Sequence, residues 1–194
     1  RLIEDAKNTA STHDFGRDVI PAMLGKDRVF AFPFIDENRK ETKYWRDIGT
    51  IDAYYDANMD LANVDPLLNL YDRQWPIRTY QEQLPPAKTV FSEGERSAMV
   101  QDSIISGGCI VSGARVRHSI LSPWVRLHSY AEVLDSILLD NVEIGRYARI
   151  RRAIIDKNVK VPEGATIGYN PDEDRKRFTI SEGHVVVVPK GYQW

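Results

Sequence analysis

The sequence predicts an α/β segment followed by a three-sided parallel β-solenoid, on three observations. The first is a repeat running from Val100 to Gly168. Its triplet Ser103-Ile104-Ile105 returns as Ser119-Ile120-Leu121, Ser136-Ile137-Leu138 and Ala153-Ile154-Ile155, which spaces the central isoleucines by 16, 17 and 17 residues. The second is that every period holds two further apolar phases. Cys109/Val111, Val125/Leu127, Val142/Ile144 and Val159/Val161 keep the same spacing, while Ala114/Val116, Ala131/Val133, Ala148/Ile150 and Ala165/Ile167 recur at 17 each time. The third is an alternation of helical and extended patterns before residue 63.

Three short apolar edges per period, separated by Gly113, Ser129, Gly145 or Gly164, are what a triangular coil needs. One coil cannot bury its edges alone. Stacking coils at roughly 4.8 Å pairs each backbone group with the coils above and below and lines like side chains into ladders. Alanine at one place in four successive coils marks a tight interior corner. Arg115, Glu132, Glu143, Arg149 and Lys160 alternate with the apolar residues and face water. A flat antiparallel sheet would have no reason to keep a 17-residue register.

Upstream, Leu2 to Lys7 reads as the end of a helix, and Asp14 as the N-cap of a helical turn carrying Phe15, Val19 and Ile20, which Pro21 should kink. Val29 to Phe34 reads as a strand, weakened at its end by Pro33, and Glu37 to Lys43 as a charged loop. Thr50 is placed to cap a helix on which Ile51, Tyr55, Met59 and Ala62 share one face and Asp52, Asp56 and Asp60 another. This part, residues 1–63, is too short to be a whole α/β domain. Residues 64–90 hold Pro66, Pro76, Pro85 and Pro86 among Tyr71, Trp75 and Tyr80, an extended strap that packs on something. The solenoid part covers residues 91–194. Beyond its coils, Tyr169 to Arg177 is a charged excursion, followed by strands at Phe178 to Ile180 and Val185 to Val188.

Composition narrows the partners. The 194 residues carry a net charge of −2 and a pI near 6.1, so no broad basic field invites nucleic acid or an anionic membrane. The single cysteine, Cys109, lies at a ladder position and excludes an intrachain disulfide. There is neither a bilayer-spanning apolar run nor a signal-peptide pattern, which together suit the cytoplasm. The chain opens Arg-Leu-Ile-Glu rather than with methionine, as a piece of something longer would.

Four motifs occur in order: His13-Asp14-Phe15-Gly16-Arg17-Asp18-Val19-Ile20-Pro21, Tyr44-Trp45-Arg46-Asp47-Ile48-Gly49-Thr50, Trp75-Pro76-Ile77-Arg78-Thr79-Tyr80 and Pro85-Pro86-Ala87-Lys88. With the solenoid, they resemble the bacterial ADP-glucose pyrophosphorylases (glucose-1-phosphate adenylyltransferases) over nearly the whole chain. The resemblance implies the C-terminal part of a nucleotidyltransferase domain followed by a left-handed parallel β-helix. It implies ADP-glucose and pyrophosphate made from ATP and α-glucose 1-phosphate with Mg²⁺, for glycogen synthesis. It implies a homotetramer controlled by phosphorylated metabolites bound between the catalytic domain and the solenoid. The Gly-rich phosphate loop, first metal-binding aspartate and sugar-phosphate lysine of that family belong to an N-terminal half that this sequence lacks, so the chain should not catalyse alone. Gly107-Gly108 is a solenoid turn rather than a phosphate cradle.

The resemblance assigns Asp47 to Mg²⁺ and catalysis, a task that suits a hard carboxylate oxygen. On its own, an Asp before Ile48-Gly49-Thr50 is a loop residue bonding its own backbone. Trp45 would line the sugar site or carry an allosteric signal, and an aromatic shielding a helix start is the plainer reading. Lys157 falls where the family places a basic residue for effector phosphate, and Lys190 lies beside a second such position, here occupied by Pro189. Both lysines could equally be solvated, and Arg151 and Arg152 form a surface pair. His13 with Asp14 reads as capping and packing, and His118 and His128 as single surface histidines. A trimeric solenoid acyltransferase would need a catalytic histidine and a projecting loop, and the register leaves no room for such a loop. A stand-alone oligomerisation or effector-binding module is the non-enzymatic alternative.

Overall fold

The three predicted phases form three parallel ladders. In this computed structural model, which describes residues 1–36, 41–74, 76–94 and 96–194, the first face stacks Ile104–Ile105, Ile120–Leu121, Ile137–Leu138, Ala153–Ile155 and Val186–Val188. The second stacks Lys88–Val90, Ile110–Ser112, Arg126–Leu127, Glu143–Ile144 and Lys160–Val161. The third stacks Met99–Gln101, Arg115–Arg117, Glu132–Leu134, Arg149–Arg151 and Thr166–Ile167. Each residue pairs with its counterpart one repeat away, Ile120 with Ile104 below and Ile137 above. The inward residues Val116, Leu121, Leu127, Val133, Leu138, Ile144, Ile150 and Ile155 are fully enclosed and fill the centre. Ala114, Ala131 and Ala148 sit buried at the narrow corner, as the alanine repeat anticipates, while the fourth, Ala165 in the last coil, is only partly buried.

What turns the chain at each corner is a left-handed residue. Asp102, His118, Asp135 and Arg152 occupy one corner, Gly108, Trp124, Asn141 and Asn158 the next, and Gly113, Tyr130, Tyr147 and Gly164 the third, with φ between 44° and 75° throughout. A non-glycine residue held there costs about 1–2 kcal/mol. The stacked backbone bonds on either side offset this. One internal ladder is polar. The hydroxyls of Ser103, Ser119 and Ser136 donate to the carbonyls of Gln101, Arg117 and Leu134, and accept from the backbone N–H of Ser119, Ser136 and Ala153 in the coil above. This explains why serine, rather than another small residue, opens the repeated triplet.

The last coil is capped. Gly168 turns at φ 81°, where an added Cβ would lie 1.7 Å from the Arg151 carbonyl oxygen, so only glycine fits. The charged excursion after it is a helix, Pro171–Arg177, capped by the Asn170 side chain, with acidic residues in its first turn and basic ones in its last. Thr179–Ile180 then pairs antiparallel with Val186–Val188, and Phe178, Tyr192 and Trp194 cluster beside them at centroid distances of 5.0–6.0 Å.

The described residues fall into two compact units, Arg1–Lys43 and Tyr44–Trp194. In the first, helix Leu2–Asp5 is followed by a π-helical turn, Phe15–Val19, running into helix Ile20–Met23 at Pro21. Asp14 caps it, accepting from the Arg17 N–H at 2.7 Å. The strand expected at Val29 to Phe34 does not form. Phe30 and Phe32 are 84% and 87% exposed, and among the described residues of this unit pairing is confined to Ile35–Asp36 with Glu41–Thr42. An alternating pattern makes a strand only where a neighbour can complete the ladder, and Pro33 removes one donor. Residues 37–40 of the expected charged loop and Trp75 of the strap lie outside the described residues.

Candidate functional site

Asp47 lies in the exposed turn Tyr44–Thr50, immediately before a helix, Ile51–Asp60. One of its carboxylate oxygens accepts from the Gly49 N–H at 3.0 Å. Its second oxygen makes no protein hydrogen bond among the described residues. The Thr50 hydroxyl caps the helix by accepting from the Ala53 N–H at 3.1 Å, as the sequence predicts. Trp45 is 76% exposed. The turn thus presents an open carboxylate and an open indole.

The helix behind this turn rests on the first solenoid face. Tyr55 and Met59 are buried against Ile137, Ile154 and Val185, and the Tyr55 hydroxyl donates to the Asp135 carbonyl at 2.7 Å. Desolvation pushes the Tyr55 phenol up to about 12, so it remains a donor. Asp52, which shares a face with Asp56 and Asp60, accepts from the Ser181 hydroxyl and, at 3.0 Å, from the Gly183 N–H. Those two bonds hold its carboxyl below the usual carboxylate range. The Arg152 guanidinium lies 5.2 Å from the Tyr55 ring and donates to the Gly183 carbonyl at 2.9 Å.

Lys157 and Lys190, 33 residues apart in sequence, meet through Asp156. One Asp156 oxygen accepts from the Lys157 N–H at 2.6 Å and the other from the Lys190 N–H at 3.2 Å. The Asp156 N–H donates to the Val188 carbonyl at 3.0 Å. Both lysine side chains are exposed, and the Lys157 ammonium is 3.7 Å from Asp140. The two lysines therefore share one backbone anchor, the Asp156 carboxylate.

Two arrangements escape sequence reasoning. His118 is not alone: its Nδ1 lies 2.8 Å from an Asp135 oxygen, beside an open cleft of about 380 Å³ that Asn63, Asp102 and Arg117 also line. A second hollow, bordered by Arg46, Asp56 and Asp60, adjoins it at Asn63 and His118. His128 likewise bonds Glu143 at 2.7 Å, which lowers that carboxyl. The 16- and 17-residue spacing of Asp102, His118 and Asp135 was the available signal, since it puts all three at one corner. Gly107-Gly108 is filled from both sides, with Leu84 against the first glycine and Trp124 against the second.

Comparison with known proteins gives the family. Residues 85–188 match the family model described as GlmU-like, C-terminal hexapeptide, and residues 1–64 match the model described as nucleotidyl transferase. The chain belongs to the GlmU-like hexapeptide family. This hexapeptide chain is 52% identical over 191 residues to a glucose-1-phosphate adenylyltransferase of Koribacter versatilis, covering 98% of the chain and 46% of the relative. To the protein of that name in Methylococcus capsulatus it is 54% identical, covering 97% and 45%. To that of Shewanella oneidensis it is 50% identical, covering 100% and 48%. The chain spans about half the length of the curated relatives it matches. Within the hexapeptide domain, no loop projects between Ile104 and Gly168, so His118 and His128 sit on ordinary coils.

Proposed function

We propose that this chain is the C-terminal part of a glucose-1-phosphate adenylyltransferase, which joins ATP and α-glucose 1-phosphate into ADP-glucose and pyrophosphate for glycogen synthesis in the cytoplasm. The reading rests on one observation: identity of 50–54% runs along the whole chain, through the nucleotidyl transferase piece as well as the solenoid. Residues 1–63 are the end of the catalytic domain, 64–90 the strap, whose last residues Lys88–Val90 already form a rung of the solenoid, and 91–194 the regulatory and assembly domain of a homotetramer. Lys157 and Lys190 serve as point charges for the phosphate of an activating or inhibiting metabolite; both side chains are exposed, on backbones that share Asp156.

Mg²⁺ suits Asp47. The cation is commonly held by one or two carboxylates together with substrate phosphates and water. Among the described residues, Asp47 offers one oxygen without a protein hydrogen bond, and no group of three or more His, Cys, Asp or Glu side chains forms a closed metal cage. Bound there, the cation would screen charge on the attacked phosphate. Trp45 stands beside it as a wall for the sugar.

The test is Mg²⁺-dependent ADP-glucose synthesis by the full-length enzyme, by the isolated 22.2 kDa chain, and by full-length Asp47→Asn. The full-length enzyme should turn over, the chain alone should not, and Asp47→Asn should lower kcat roughly 100-fold. Turnover by the isolated chain would refute the fragment reading. Acetyl-coenzyme A binding without adenylyl transfer would favour an acyltransferase.

A further inference from the structure

The helix Ile51–Asp60 begins four residues after Asp47 and is bolted to the far end of the chain through Asp52. Its carboxylate spans the turn Ser181–Val185, one oxygen accepting from the Ser181 hydroxyl and the other from the Gly183 N–H. The same hydroxyl accepts from the Val185 N–H at 3.0 Å, so one side chain organises both the turn and its contact with the helix. Gly183 is needed for the fit, because a Cβ there would lie 2.6 Å from the Asp52 oxygen. Arg152 closes the arrangement by gripping the Gly183 carbonyl while lying against Tyr55. The turn leads directly into Val186–Val188, the top rung of the first face, whose next residues carry Lys190.

We infer that Asp52 is a positioning residue: with Ser181 and Gly183 it forms a latch that fixes the turn bearing Asp47 to the C-terminal hairpin of the solenoid. Packing of Tyr55 and Met59 sets how the helix lies on the face, and the Tyr55 hydroxyl ties its middle to the Asp135 carbonyl, but both act beyond its first turn and leave that turn free to shift. A two-pronged carboxylate at its first turn removes that freedom and does so next to the catalytic turn. Displacing a catalytic group by an ångström can cost about 100-fold in rate. The inference rests on the adenylyltransferase reading for Asp47.

The experiment uses the full-length enzyme, whose unmodified form must first make ADP-glucose; if it does not, the functional reading fails and not the latch. Three variants break the latch from different sides: Asp52→Asn, Ser181→Ala and Gly183→Ala. Each should lower kcat about 10- to 100-fold and raise the Mg²⁺ concentration for half-maximal rate, while the KM for glucose 1-phosphate stays within about twofold. Asp52→Asn combined with Ser181→Ala should be little worse than either alone, because both remove one shared interaction. Ser181→Thr, which keeps the hydroxyl, should recover most of the rate. Wild-type kinetics in all three single variants would overturn the latch. So would losses that simply follow each variant's fall in thermal midpoint, or that Ser181→Thr does not rescue.

Discussion

At the scale of single residues, three carboxyls give the fold a distinctive pH response. Asp52 is held low mainly by the Ser181 hydroxyl and Glu143 mainly by His128. A carboxyl lowered by folding contributes stability that is complete above its unfolded value, near 3.8 for Asp and 4.5 for Glu, and is lost as pH falls through the folded value. Asp174 runs the other way. It is only 3% exposed and accepts from the Gly168 N–H at 2.9 Å, yet desolvation raises it. Its contribution is full below 3.8 and declines as pH rises through the folded value. In urea titrations across pH, Asp52→Asn should be less stable than wild type at pH 7 and converge with it at the acid end. Asp174→Asn, which can still accept the Gly168 bond, should lose the least stability near neutrality. A gap between Asp52→Asn and wild type that persists unchanged into acid would show that charge is irrelevant there.

The elements of the structure show how much was legible beforehand. The solenoid strands and their register could be read because side chains recur at a fixed period and each rung buries the same pattern. The Thr50 cap could be read because capping is local. The helix Pro171–Arg177 could not be, although Asn170, Pro171 and the acidic-to-basic order mark its ends. At seven residues it has no apolar stripe to reveal a period. The strand wrongly expected at Val29 to Phe34 shows the converse, a good local pattern without a partner. The latch and the meeting of Lys157 with Lys190 depend on contacts 129–131 and 33–34 residues apart, which no local pattern encodes. The serine ladder lies between these cases, visible as a repeat but not as hydrogen bonds. Ser136→Ala should strip the Ala153 N–H of its acceptor and cost about 1–3 kcal/mol by chemical denaturation. Ser136→Thr, which keeps an oxygen in a tighter space, tests whether the bond or the volume matters.

On the scale of the whole molecule, a stack of coils is open at both ends, and each end offers unpaired backbone groups to any strand that can match it. The C-terminal end is closed by Gly168, the short helix and the hairpin. Deleting residues 169–194 should expose the top rungs and give a chain that associates with increasing concentration in sedimentation experiments. A truncated chain that remains at one unchanging mass would show that the cap does not guard the stack. The reversal of Thr179–Ile180 against Val186–Val188 has a further consequence. All the strands of the three faces up to that rung run the same way, so a second molecule could in principle add its coils in continuation, as monomers add to a fibre. One strand laid in the opposite sense breaks that polarity. The hairpin is therefore a terminator, built into the chain itself, that turns a shape suited to endless growth into one of fixed length.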